Sequence, residues 1–480
     1  MNGINKPLFF SISEKYLIFL IQLIATIFIA RLLTPTELGI FSVASLIISF
    51  SHIFRDLGIS NYVIQERELS SNRLQTAQTI LFTSSWILAL VICLASTYFA
   101  EFYNEPKIKD LLLILSINFV VLPFGSLNSA LLKRKMLFDL IFKINVSATF
   151  VQTSSAIALC YWGYGPIGLA WSGVIGNLTT ILLTQYYSPC RVSLLPSLHE
   201  WRHVLGIGGR YSAASMLWEI GASGPELISG KVMGMEYAGY LGRAQSIVSL
   251  AYRTIMEGLS PVLMPHFADL NRNNQNIGKH FLISLSNLSV FTLPIFLSML
   301  VAMDPLIMVL YGSQWHNTIL PAQIICLGML FLSIATTAGA AVAGMGEAKY
   351  SLRFQLLAQP LKLFFVAIGC HFSLTHVAAG MATGEILLSI YILITLRQLS
   401  HFDWLEFMLS IRASLIVGLM TSGSCLLFRI IAFDLGDFWK AIGCITCSAT
   451  AWIISIQIIR HPIHIETNKL ALKLWSHIQQ

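Results

Sequence analysis

The sequence predicts an all-α integral membrane protein of about fourteen transmembrane helices in two related halves. Three observations carry that expectation. Hydrophobic residues make up 55% of the 480 residues. Charged residues make up only 11%, where a soluble globular chain carries about 25%. Mean hydropathy is +0.72. A chain this long and this poor in charge cannot cover its surface in water, so lipid is the expected solvent. No polar block is large enough for a separate soluble catalytic domain.

A span needs about 20 largely apolar residues. By that measure spans fall near 8–31, 38–58, 79–100, 109–127, 144–162, 166–187, 208–231, 238–263, 281–303, 319–343, 354–371, 376–396, 412–431 and 439–459. The seventh and eighth are the weakest, since both carry charges and glycines; without them the count is twelve. The first run is interrupted by Glu14 and Lys15 and is too long for a signal peptide, so it reads as a retained span.

Basic residues fix the orientation. With the N-terminus cytoplasmic, 23 of the 30 Lys and Arg fall on the inner side, among them Lys133, Arg134, Lys135 and Lys362. The outer side keeps Arg31, Lys107, Lys109, Lys231, Arg243, Arg429 and Lys440. The positive-inside rule then places both termini in the cytoplasm. The net charge of +7 is dispersed and forms no stripe, which excludes nucleic acid as a partner.

Two motif-like features are rejected. Cys444 and Cys447 form a CxxC inside an apolar run with no second pair beside it, so a metal site is not expected. Gly163, Gly165 and Gly168 spell GxGxxG without a preceding strand, and serve a tight hairpin between two spans.

At an offset of 200 the chain matches itself. Arg31 pairs with Lys231, Gly39 with Gly239 and Gly58 with Gly258. Both copies begin on the same side, so the repeat is parallel and implies two bundles flanking a cleft.

The seventh span carries Ser215, Glu219, Ser223, Glu226 and Gly230 at helical spacing, on one face. An ionised side chain at the bilayer centre costs roughly 2.5–3.5 kcal/mol, so this face must meet protein or a watery cavity. Pro225 and its neighbouring glycines predict a kink or unwound turn. Ser11, Lys15, Gln22 and Thr26 form a milder stripe on the first span. The alternative is that these groups pair across a packed bundle, or, for Lys15, snorkel to the interface. Arg31, Lys231 and Arg243, on the outer side, suit an anionic headgroup crossing the cleft; the alternative is lipid headgroup contact or a turn-capping ion pair. Glu385 follows Gly380 and Gly384 within the twelfth span; it is either a functional acid or a neutral acid in a tight helix contact.

The segments ARLLTPTELGIFSVASLI and RDLGISNYVIQ resemble the start of bacterial Wzx-type polysaccharide flippases. These belong to the multidrug, oligosaccharidyl-lipid and polysaccharide exporter superfamily. ELISGKVMGMEYAGYLGRAQSI, SPVLMPHFADL and YGPIGLAWSGVIGN are similar to later spans of the same family. The resemblance implies two six-helix lobes (1–200 and 201–400), two further helices and a tail over 401–480, and a central cavity. It implies transport, not catalysis, of an undecaprenyl-pyrophosphate-linked oligosaccharide across the bacterial inner membrane, by alternating access and without an organic cofactor. H+ or Na+ is the implied coupling ion, and other polysaccharide assembly proteins are possible partners. Where the family has Asp or Asn, this chain has Glu226. On this reading Arg31, Lys231, Arg243 and Lys15 compensate the headgroup. Glu219, Glu226, Ser215, Ser223, Gln22, Thr26 and Glu385 line the cavity or carry the coupling ion. A cation-coupled multidrug antiporter shares the architecture and stays open. A membrane-embedded glycan polymerase or ligase is disfavoured by the short outer loops and the lack of a nucleophile constellation.

Overall fold

The computed structural model describes residues 2–56, 58–66, 69–188, 196–197, 201 and 219–459. Among them the regular structure is helical. Each predicted span other than the seventh falls on a described helix. In chain order these are α1 (Asn2–Leu32), α2 (Pro35–Asp56), the short α3 (Ile59–Gln65), α4 (Ser71–Tyr103), α5 (Lys107–Val121), α6 (Pro123–Arg134), α7 (Phe138–Tyr161) and α8 (Gly165–Tyr187). A helix over 219–232, here α9, is the described part of the seventh span. Then come α10 (Met235–Arg272), α11 (Ile277–Leu310), a 3-10 turn (Ser313–Thr318), α12 (Ile319–Gly344), α13 (Ala348–Gly369), α14 (Leu374–Ser400), α15 (Trp404–Ile431) and α16 (Asp437–Ile459).

Among the described residues ten helices are long and apolar enough to cross a membrane, or eleven if α5 and α6 form one bent span. The bend between those two is 54° and falls at Pro123, whose ring cannot continue the helical hydrogen-bond ladder. α7 and α10 run through their predicted spans but are too polar to pass, α7 because Asn145, Ser147, Thr149 and Gln152 dilute it. Large apolar side chains stand exposed along the helices, including Leu94, Phe150, Leu182, Leu427 and Ile458. Contiguous exposure of this kind in water would be an aggregation liability, whereas in lipid it is the expected outer surface.

The chain divides into two compact units, Met1–Gly239 and Tyr240–Gln480. In the first, Val43, Ala44, Ile92, Leu112 and Phe119 bring α2, α4 and α5 into one core, which Met235 and Ala238 join. α1 lies along α7, and Glu14 accepts a hydrogen bond from Asn145 at 2.6 Å between them. The α7–α8 turn uses positive φ at Gly163 (86°) and Gly165 (57°), the tight hairpin expected of those glycines. In the second unit Phe267, Phe281, Leu285, Ala338 and Leu396 centre a core of α10, α11, α12 and α14. Val290, Val417 and Ile456 tie α15 and α16 to α11.

Candidate functional site

Polar groups are drawn into the packed interior of each unit. In the first, α9 turns its stripe toward α2. Ser223 and Glu226 are 5% and 6% exposed. The Ser42 hydroxyl of α2 donates to the Glu226 carboxylate, and Ser223 donates to Glu219 Oε1 at 2.7 Å. Gly230 continues the face: a Cβ there would stand 3.0 Å from Val43 Cγ2. The buried carboxylate is thereby hydrogen-bonded, as burial of an acid requires. α9 is helical through Pro225, so no unwound turn occurs within 219–232; the Ser229 hydroxyl donates to the Pro225 carbonyl. Ser215 lies outside the described residues.

On α1, Lys15 and Gln22 are exposed and Thr26 is half-buried. Arg31, in the last turn of α1, is exposed as well. Lys231 donates to the Phe102 carbonyl and sits over the Phe102 ring, 4.5 Å from its centroid. It thus caps the C-terminal end of α4, where a cation meets the negative end of the helix dipole. Arg243, in the second unit, lies 5.7 Å and 5.8 Å from the ring centroids of Tyr311 and Trp315. Burial pushes the Tyr311 phenol up, and the Arg243 charge opposes that shift. Lys231 and Arg243 are therefore engaged by backbone and aromatic faces of their own units.

Glu385 pairs with Lys362: Nζ to Oε1 is 3.0 Å, from α13 to α14. Lys362 counts as an inner-side residue in the sequence, yet it sits in the middle of α13, 7% exposed. The tight helix contact beside Glu385 is also present. A Cβ on Gly380 would come 2.7 Å from the Phe365 carbonyl carbon, and one on Gly384 2.6 Å from Lys362 Cβ. Sequence reasoning missed Lys362, although its place inside the predicted 354–371 span was a signal. It also missed Arg134, which donates to the carbonyls of Val63 (2.8 Å) and Glu66 (2.5 Å) and so caps α3. Among the described residues no group of three or more His, Cys, Asp or Glu could hold a metal ion.

In each unit, packed helices draw polar side chains into apolar surroundings. The model of a family described as "Polysaccharide biosynthesis protein" matches residues 28–320. The chain belongs to that family. A relative from Escherichia coli (strain K12), named "Lipopolysaccharide biosynthesis protein WzxC", is 23% identical over 466 residues, covering 92% of this chain and 91% of the relative. A solved structure titled "Lipid II flippase MurJ, inward closed conformation" superposes with a TM-score of 0.76 at 15% identity, over 95% of this chain and 99% of that one. An inward-facing multidrug resistance MATE family transporter superposes with 0.61, over 80% and 94%. At such identities these likenesses establish the shared fold.

Proposed function

We propose that this protein is a lipid-linked oligosaccharide flippase serving polysaccharide export. It moves an undecaprenyl-pyrophosphate-linked glycan from the cytoplasmic to the outer leaflet of the inner membrane, with both termini cytoplasmic. The observation that carries this reading is the family match over residues 28–320, supported by near full-length similarity to a lipopolysaccharide biosynthesis protein. The same relatives support transport over catalysis.

A pyrophosphate headgroup cannot cross hydrocarbon unaided, whereas its lipid tail can stay in the bilayer. On this reading the exposed bases Arg31 and Lys15 compensate the headgroup charge. Lys231 and Arg243 hold the elements around them, and Gln22 and Thr26 extend the polar face of α1. The acids Glu219, Glu226 and Glu385 reset the cycle by taking up a cation once the anion has left. Contacts with other polysaccharide assembly proteins belong to the same proposal.

The test is glycan export in cells lacking the chromosomal gene. Wild type restores surface glycan, and an Arg31→Ala, Lys15→Ala double variant at equal membrane level exports little. Full export by that variant removes the headgroup role. Drug resistance conferred without glycan export would move the function to the multidrug reading.

A further inference from the structure

Lys362 and Glu385 form a buried ion pair, with side chains 8% and 15% exposed. The Arg73–Glu66 pair, by contrast, is 23% and 14% exposed and lies at the short α3–α4 connection. A buried ion pair is a poor source of stability, because desolvation offsets much of the attraction and apolar replacements often do as well. Inside a span that cost is larger still. Its placement is nevertheless built in: Gly384 leaves the space that the Lys362 stem fills.

A second buried polar side chain lies on the same helix. One turn before Lys362, Gln359 is 5% exposed, and its Oε1 is buried with no hydrogen-bond partner among the described residues. Its Nε2 donates to Gln355 Oε1 at 2.7 Å. A carboxylate is a hard donor of the kind that small hard cations take. The cation present there is an ammonium, a single positive charge on a stem anchored in α13.

We propose that Lys362 is a tethered cation: its ammonium occupies the place beside Glu385 that a sodium ion would need. Sodium is thereby excluded, and the exchangeable cation of this carboxylate is the proton. Proton uptake converts the Glu385 carboxylate to the neutral acid and releases Lys362 from its partner. The titratable groups packed toward Glu385 are Lys362 of α13 and the Tyr252 phenol of α10. α12 contributes Thr336, whose Oγ1 lies 2.6 Å from the Tyr252 hydroxyl, and its Cys326 thiol turns instead to the Phe296 carbonyl. On α11, Lys279 and His280 lie in the first turns, and Asp304 pairs with Arg429. The inference rests on the transporter reading for its role in a cycle, while the site chemistry stands apart from it.

The experiment is equilibrium binding of radioactive sodium to the purified full-length protein in detergent. Wild type is expected to show no saturable sodium site. Lys362→Met, checked as folded by size exclusion, gains one, and the Lys362→Met/Glu385→Gln double variant loses it again. Saturable sodium binding by wild type that Glu385→Gln abolishes would overturn the proposal. So would a folded Lys362→Met that binds no sodium. If Lys362→Met does not fold, Lys362→Gln takes its place, and the wild-type and Glu385→Gln arm decides independently. In cells, glycan export by wild type should be unchanged when potassium replaces sodium, and Glu385→Gln should alter the dependence on external pH. A sodium requirement in wild type, or an unaltered pH profile in Glu385→Gln, counts against the proposal. Absence of glycan export by wild type would instead defeat the flippase reading and leave the binding result standing.

Discussion

Gly39→Ala tests the closest helix approach in the first unit. The Cβ of an alanine at 39 would stand 1.8 Å from the Met235 carbonyl oxygen and 2.9 Å from the Gly239 nitrogen. The contact is reciprocal: a Cβ at Gly239 would stand 2.0 Å from the Pro35 carbonyl oxygen. Ordinary contact begins near 3.4 Å, so α2 and the start of α10 must separate by about 1.5 Å to admit one methyl group. Both obstructing atoms are backbone, so no rotamer change can relieve the overlap. Overpacking a well-filled core costs about 1–3 kcal/mol, and the upper end applies where backbone must move. Gly39→Ala and Gly239→Ala are each expected to lower the thermal unfolding midpoint in detergent by several degrees. The double variant should lose much less than the sum, because one separation admits both methyl groups. Losses that simply add would show that the two glycines do not share one crossing. A midpoint for Gly39→Ala within a degree of wild type would refute the close approach itself.

Two further outcomes follow from the same packing. Ser42→Ala removes a hydroxyl that donates to the buried Glu226 carboxylate, and should cost about 1–3 kcal/mol. That loss should shrink in a Glu226→Gln background, as a thermal double-mutant cycle would reveal; equal losses in both backgrounds would deny the bond. Arg134→Ala removes the cap on the last carbonyls of α3 and should cost about 2 kcal/mol, with faster amide exchange in the residues just before Glu66. Arg134→Lys should recover only part, since the shorter lysine stem does not carry its nitrogen as far as the Nη1 that serves both carbonyls. Unchanged exchange in Arg134→Ala would remove the capping role.

Much of the fold was legible because a membrane span is written in composition. Continuous apolar runs gave the helices, and the glycines at 163 and 165 gave the hairpin between α7 and α8. The offset of 200 carried more than a repeat. It paired Gly39 with Gly239, and those two residues meet in space, Gly39 also against the Met235 carbonyl and Gly239 against the Pro35 carbonyl. The stripe on the seventh span was legible too, since spacing alone puts Glu219, Ser223 and Glu226 on one face. Its partner was not, because nothing local to α9 or α2 specifies that Ser42 lies opposite Glu226. Lys362 was hidden for a related reason. Counting bases by side treats each Lys as a loop residue, whereas the crossing of α13 on Gly380 and Gly384 buries this one. Arg134 similarly reads as a topology charge until α3, only seven residues long, is seen to end beneath it.

The two units handle their buried acids with different chemistry, and that difference bears on what each can do. Glu226 receives a hydroxyl hydrogen bond from Ser42, a donor that can serve the charged or the neutral acid alike. Such a carboxyl can gain or lose its proton with little rearrangement of that contact. Glu385 faces an ammonium, whose charge is left without its partner when the carboxylate is neutralised. Neutralising Glu385 therefore leaves Lys362 either to move or to meet an anion, which is the release that the proposal requires. On the proposal above, the ammonium beside Glu385 is what makes that acid the switch.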